Sequence, residues 1–185
     1  MVKRDLIRNI IIAVLAIVVI LLLRSFVFST HRVTENQAND YIHAGDYVTF
    51  NKNVEPKKKD FILYTVNGKE YIGRVIAGEG KSVAAMDDFL YVNDKPIEEN
   101  YISHDKSAYL ATVSPGNFFT DDFSIATLTD NKQTKIEKGQ YLVLNDNRRN
   151  TKDSRKFGLI KKDQIKGVIS FRLYPLSHFG FVDVD

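Results

Sequence analysis

The chain has 185 residues, 26 lysines and arginines against 23 aspartates and glutamates, and no cysteine. That length holds one domain, or one domain with an appendage. The missing cysteines exclude a disulfide framework and a thiolate metal site. With the N-terminal charges set aside the remainder is almost neutral, which leaves no basic field for nucleic acid.

Residues 7–28 form the first predicted element. An unbroken apolar run from Ile10 to Leu23 continues through Phe26, Val27 and Phe28. As a helix the segment spans ~33 Å, against a hydrocarbon core of ~30 Å. Arg8 and Arg24 lie near its ends, where long stems carry the charge to the interface. Val27-Phe28-Ser29 is a poor cleavage site, so the segment reads as an uncleaved anchor and not as a removed leader. Lys3, Arg4 and Arg8 precede the apolar run and are opposed by Asp5 alone. The positive-inside rule then places residues 1–6 in the cytoplasm and residues 29–185 outside the cell membrane, the type II arrangement, with membrane lipid around the helix.

The exported part reads as mainly β, a barrel or sheet domain of short strands. Phe61–Val66 and Glu70–Ile76 flank Asn67-Gly68, the strongest short-range hairpin pattern. Phe89–Val92 turns at Asn93-Asp94 into Lys95-Pro96-Ile97. Gln140–Leu144 and Gly167–Tyr174 are rich in β-branched and aromatic residues. No amphipathic helix is evident. Residues 103–131, rich in Ser, Thr, Asp and Asn, are expected to be a loop-rich insertion, and Lys57-Lys58-Lys59 a solvated turn. Phe171–Phe181 is crowded with aromatic rings. It reads either as a closing strand with its packing surface or as an apolar rim touching the outer leaflet. His31, His43, His104 and His178 have no spacing suited to a metal or a triad.

The most specific stretch is Leu144-Asn-Asp-Asn-Arg-Arg-Asn-Thr-Lys-Asp-Ser-Arg-Lys-Phe-Gly158. It is similar to the pattern G-D-N-R-x-x-S-x-D-S-R-x-F-G of the type I signal peptidases, with identities at Asp146, Asn147, Arg148, Asp153, Ser154, Arg155, Phe157 and Gly158. Tyr71-Ile-Gly-Arg-Val-Ile76 and Leu90–Lys95 resemble that family's Y-V-K-R-V-I and L-Y-V-N-G-K, and Gly45-Asp46 through Lys52 its G-D-x-V-x-V-x-K. The resemblance implies a membrane-anchored β domain built for Ser/Lys peptidase chemistry. It also implies no cofactor, and signal peptides, exported preproteins or an active signal peptidase as partners.

Two positions depart from the family. Its nucleophilic serine stands nine residues before the aspartate of G-D, and counting back from Asp46 gives Gln37, followed by Ala38 and Asp40 where the family has Met and Pro. The lysine belongs third in Y-V-K-R-V-I, where Gly73 stands. A carboxamide is no nucleophile and glycine supplies no base. In this the chain is similar to inactive Gram-positive members of the family, and the expectation is a pseudoenzyme. A non-catalytic peptide-binding or export accessory role is a second expectation. An active peptidase with a displaced nucleophile such as Thr34, or a displaced base such as Lys69 or Lys81, is the third. Asp46, Arg74, Asp146, Arg148, Asp153, Ser154 and Arg155 are expected to hold the loop against the barrel through charge-assisted contacts.

Overall fold

The computed structural model describes residues 2–130 and 132–183, and leaves the side chains of residues 2, 3 and 21–26 undescribed. Helix α1 (Val2–Phe26) leads into strand β1 (Phe28–Arg32), a 3-10 turn at Glu35–Gln37, β2 (Tyr47–Asn51), β3 (Phe61–Val66), β4 (Lys69–Ala77), β5 (Val83–Met86), β6 (Phe89–Val92) and β7 (Lys95–Ile97). There follow α2 (Ser103–Leu110), β8 (Phe123–Ser124), α3 (Ile125–Leu128), β9 (Gln140–Leu144), α4 (Ser154–Phe157), β10 (Ile160–Lys161), β11 (Ile165–Tyr174) and β12 (Gly180–Phe181).

Among the described residues the strands form two antiparallel sheets. The larger runs in the order β1-β2-β11-β3-β4-β9-β10, with β12 beside β11, and the smaller in the order β7-β6-β5-β8. Strand β3 explains why an unbroken apolar run was needed at its centre. Phe61 and Leu63 face one core with Val48, Phe50 and Ile169. Ile62, Tyr64 and Val66 face another with Val75, Val143 and Val168. Side chains alternate across a strand, so burial on both faces demands apolar residues at every position. The hairpin at Asn67-Gly68 forms as expected, with φ of 49° and 75° at its two turn residues, the left-handed pair that its sequence favours. Asn93 and Asp94 repeat this between β6 and β7.

Two expectations need correction and one open pair of readings is resolved. Residues 103–110, expected in a loop, form α2. No proline or glycine interrupts them. Their order comes from tertiary ties, a Lys106 bond to the Asp88 carbonyl and Tyr109 against Phe119, which leave no apolar stripe to read. Of the two readings of Phe171–Phe181, the strand holds at its start, where Phe171 lies in β11, and the apolar rim at its end, where Leu176, Phe179 and Phe181 are exposed. The first helix begins at Val2 and ends at Phe26, whereas the apolar count gave residues 7–28. Its polar start holds no breaker and carries an Arg8–Asp5 pair at 3.2 Å, while Phe28 is drawn into β1 by pairing with Asn51. Among the described residues no helix is long and apolar enough to cross a membrane. Lys3, Arg24 and the end of the apolar run, residues 21–23, have side chains outside the described residues.

Candidate active-site cleft

The 3-10 turn at Glu35–Gln37, the edge of β4 and the loop after β9 enclose a cavity of about 280 Å³ that brings Gln37 and Gly73 together. A second cavity of about 380 Å³ adjoins it, sharing Asn36, Gln37, Ile72 and Asn145. The edge is available for a simple reason. Strand β9 pairs with β4 only over Arg74–Ala77, so the Lys69–Gly73 half of β4 has β3 on one side and no strand on the other among the described residues.

Gln37 is buried and its carboxamide is bound at both ends. Its Oε1 accepts from the Thr34 backbone N–H at 3.0 Å and lies 2.9 Å from His31 Nε2, while its Nε2 donates to the Glu70 carbonyl at 3.0 Å. The backbone partners fix which end of the amide faces which way. His31 Nδ1 in turn lies 3.3 Å from the Glu70 carboxylate, which is also bound by Lys166. The Lys166 hydrogen bond, against the opposing effect of burial, holds the Glu70 carboxyl below its ordinary value. Gln37 therefore braces the turn to β4. Sequence reasoning missed this role although Thr34-Glu35-Asn36-Gln37 has the T-x-x-Q form of a capping box.

Gly73 is enclosed as well as bare. A Cβ built there would stand 2.7 Å from Val143 Cγ1, 3.3 Å from the Leu144 carbonyl and 3.5 Å from the Tyr64 ring. Val143 is buried and β-branched, so it has little rotamer freedom with which to withdraw. Of the displaced candidates, Thr34, its backbone tied to Gln37, and Lys69 both line the second cavity, while Lys81 lines a separate cleft with Glu79 and Lys138.

The motif residues form three buried ionic units beside the cavities. Arg74 donates to both oxygens of Asp146 at 2.8 and 2.7 Å and to the Lys59 carbonyl at 3.2 Å. Its guanidinium lies 4.2 Å from the Phe61 ring centroid and 4.3 Å from that of Tyr101. Burial pushes the Asp146 carboxyl up despite that pairing. Arg148 reaches Glu99 at 2.7 Å and the Asn145 carbonyl at 2.9 Å. Burial works to lower its pKa, but Glu99 and Tyr101 prevail and hold it above its usual value. Asp153 takes both Arg155 Nε at 2.9 Å and Nη2 at 2.6 Å and accepts from the Asn145 N–H, while Ser154 Oγ accepts from the Val143 N–H at 3.0 Å. Asp46 lies apart from the cavities, where it closes its own turn by accepting from the His43 N–H at 2.8 Å and pairs with Arg172 at 2.9 Å. Glu99, 49 residues from Arg148, has no local pattern that names it. The structure also gathers His104, Asp40 and Asp105 within 4.8 Å, a group whose separation along the chain hid it. His104 and Asp40 in it are exposed.

Comparison with known proteins agrees with this architecture. Residues 6–174 match the family model for signal peptidase, peptidase S26. A signal peptidase IB of Staphylococcus aureus is 33% identical over 97% of this chain and 95% of its own length. A signal peptidase I of Bacillus caldolyticus is 34% identical over 90% of each. The crystal structure of a signal peptidase I from Enterococcus faecalis aligns with a TM-score of 0.55 at 32% identity, covering 62% of this chain and 97% of that one. These matches place the chain in the signal peptidase family, peptidase S26.

Proposed function

We propose that this chain is a non-catalytic member of its family, an anchored extracytoplasmic domain whose cleft holds extended peptide without cutting it. One observation carries the reading. The two positions where the family's chemistry would stand meet in a single cavity, one filled by a carboxamide bound at both ends and the other by a glycine pressed against Val143. Neither group accepts or gives up the proton that attack on a carbonyl requires. What survives is a binding surface. With the Glu70 carbonyl taken by Gln37, the rest of the Lys69–Gly73 edge, which has no second strand beside it among the described residues, offers its backbone groups to a strand, the mode by which many proteins take extended peptides. Such a protein would serve export beside an active peptidase or preprotein, and α1 would hold it at the membrane.

The test uses the full chain in lipid nanodiscs with a labelled preprotein carrying an intact signal peptide. The expected result is saturable binding and no cleavage product. Cleavage abolished by Thr34→Ala or Lys69→Ala would establish a displaced catalytic group and overturn the reading.

A further inference from the structure

We propose that the cleft selects acidic peptide segments, an inference that rests on the peptide-binding reading above and names the ligand class. The two cavities differ in chemistry. The first is lined by carboxamides, among them Asn36, Asn39 and Asn145, and by two carboxylates, Asp146 tied to Arg74 and Glu35 exposed at the end away from the lysines. The second is lined by Lys69, Lys152 and Lys156, all exposed. No ion pair among the described residues engages any of these three ammonium groups. The carboxylate among them, Glu70, is already shared between Lys166 and His31. Three cations therefore face one end of the cleft without an acidic partner, over a floor made by Tyr71 and Phe157, whose ring centroids are 4.9 Å apart.

The free β4 edge decides in favour of a peptide. Lys69 lies on that edge, so a strand added there sets a side chain directly opposite it, where an opposite charge is favoured and a like charge is not. Lys152 and Lys156 flank the same path from the loop and from α4. A lipid phosphate would meet the same ammonium groups but would leave the strand edge unused.

Fluorescence anisotropy on the full chain in zwitterionic nanodiscs tests this, with a rhodamine-labelled extended peptide bearing Asp-Glu-Asp and its Asn-Gln-Asn counterpart. The acidic peptide is expected to bind about tenfold more tightly at low salt, with the difference shrinking as salt screens exposed charges. The triple variant Lys69→Ala, Lys152→Ala, Lys156→Ala is expected to remove the preference, so that the acidic and Asn-Gln-Asn peptides bind it alike. Equal affinity for both peptides, or a preference that survives the triple variant, overturns this inference while the peptide-binding reading stands. Binding of neither overturns both. Displacement of the acidic peptide by phosphatidylglycerol vesicles, with no displacement by unlabelled acidic peptide, would assign the lysines to lipid and overturn the inference as well.

Discussion

At the scale of single residues, Gln37 and Gly73 are both tightly held by their surroundings. A serine at 37 has a hydroxyl one bond from Cβ and cannot reach the Glu70 carbonyl that the longer carboxamide holds at 3.0 Å. A lysine at 73 must pass Val143 Cγ1 at 2.7 Å from its first side-chain atom, and overpacking of that kind costs about 1–3 kcal/mol. The expected outcome for Gln37→Ser with Gly73→Lys is therefore a less stable protein, read as a lower urea midpoint, that releases no product from a signal-peptide substrate. Adding Val143→Ala should return most of the lost stability. Turnover by the double variant without the third change would mean that the site around 73 yields more easily than its packing implies. Counting from Asp46 and along Tyr71 to Ile76 singles out both positions in the sequence, and the structure brings them to one cavity. The sequence carried no trace of Val143 as the obstacle, because that contact joins two strands that are distant in the chain.

At the scale of elements, Glu70 ties three strands. It stands on β4 and meets Lys166 on β11 and His31 on β1, while its carbonyl takes the Gln37 amide. The Lys166 hydrogen bond lowers the Glu70 carboxyl's pKa in the folded state. A depressed acid contributes stability above its unfolded value, ~4.3, and loses it as pH falls through the folded value. Glu70→Gln should therefore be less stable than the parent near neutrality, with the gap closing between about pH 5 and pH 3. Urea midpoints across that range measure it, and a constant gap would show that the charge contributes nothing. Taking the difference between the two proteins removes the opposing response of Asp146, whose raised value is common to both. Elements differ in how far sequence discloses them. The β3–β4 hairpin is written in Asn67-Gly68 and in the apolar runs on either side of it, both local properties. Helix α2 is held by Lys106 and Tyr109 through contacts that cross the fold, and composition alone made it look like loop.

At the scale of the molecule, α1 and the far end of β11 raise the same question. Consecutive side chains such as Ile10, Ile11 and Ile12, and again Ile17 through Ile20, are each roughly half exposed, so apolar surface surrounds the helix with no core against it. Phe181 and Leu176, 85% and 78% exposed, extend apolar surface at the end of the larger sheet. A soluble monomer rarely shows continuous apolar area of this kind, and the proposed anchor would cover it with lipid. Among the described residues no helix alone is long and apolar enough to cross. Yet α1 has 25 residues, ~37 Å of helix at 1.5 Å rise, against ~30 Å of hydrocarbon. An anchor predicts a steep response to charge at its middle. Val14→Arg with Val18→Arg places two guanidinium groups on one helix face one turn apart, each opposing insertion by about 2.5–3.5 kcal/mol. The parent chain should stay with membranes through alkaline carbonate extraction, and the double variant should move largely to the supernatant. A parent that carbonate releases would reduce α1 to a peripheral element. A variant that remains embedded would mean that the exposed aromatic edge, and not the helix, holds the protein in place.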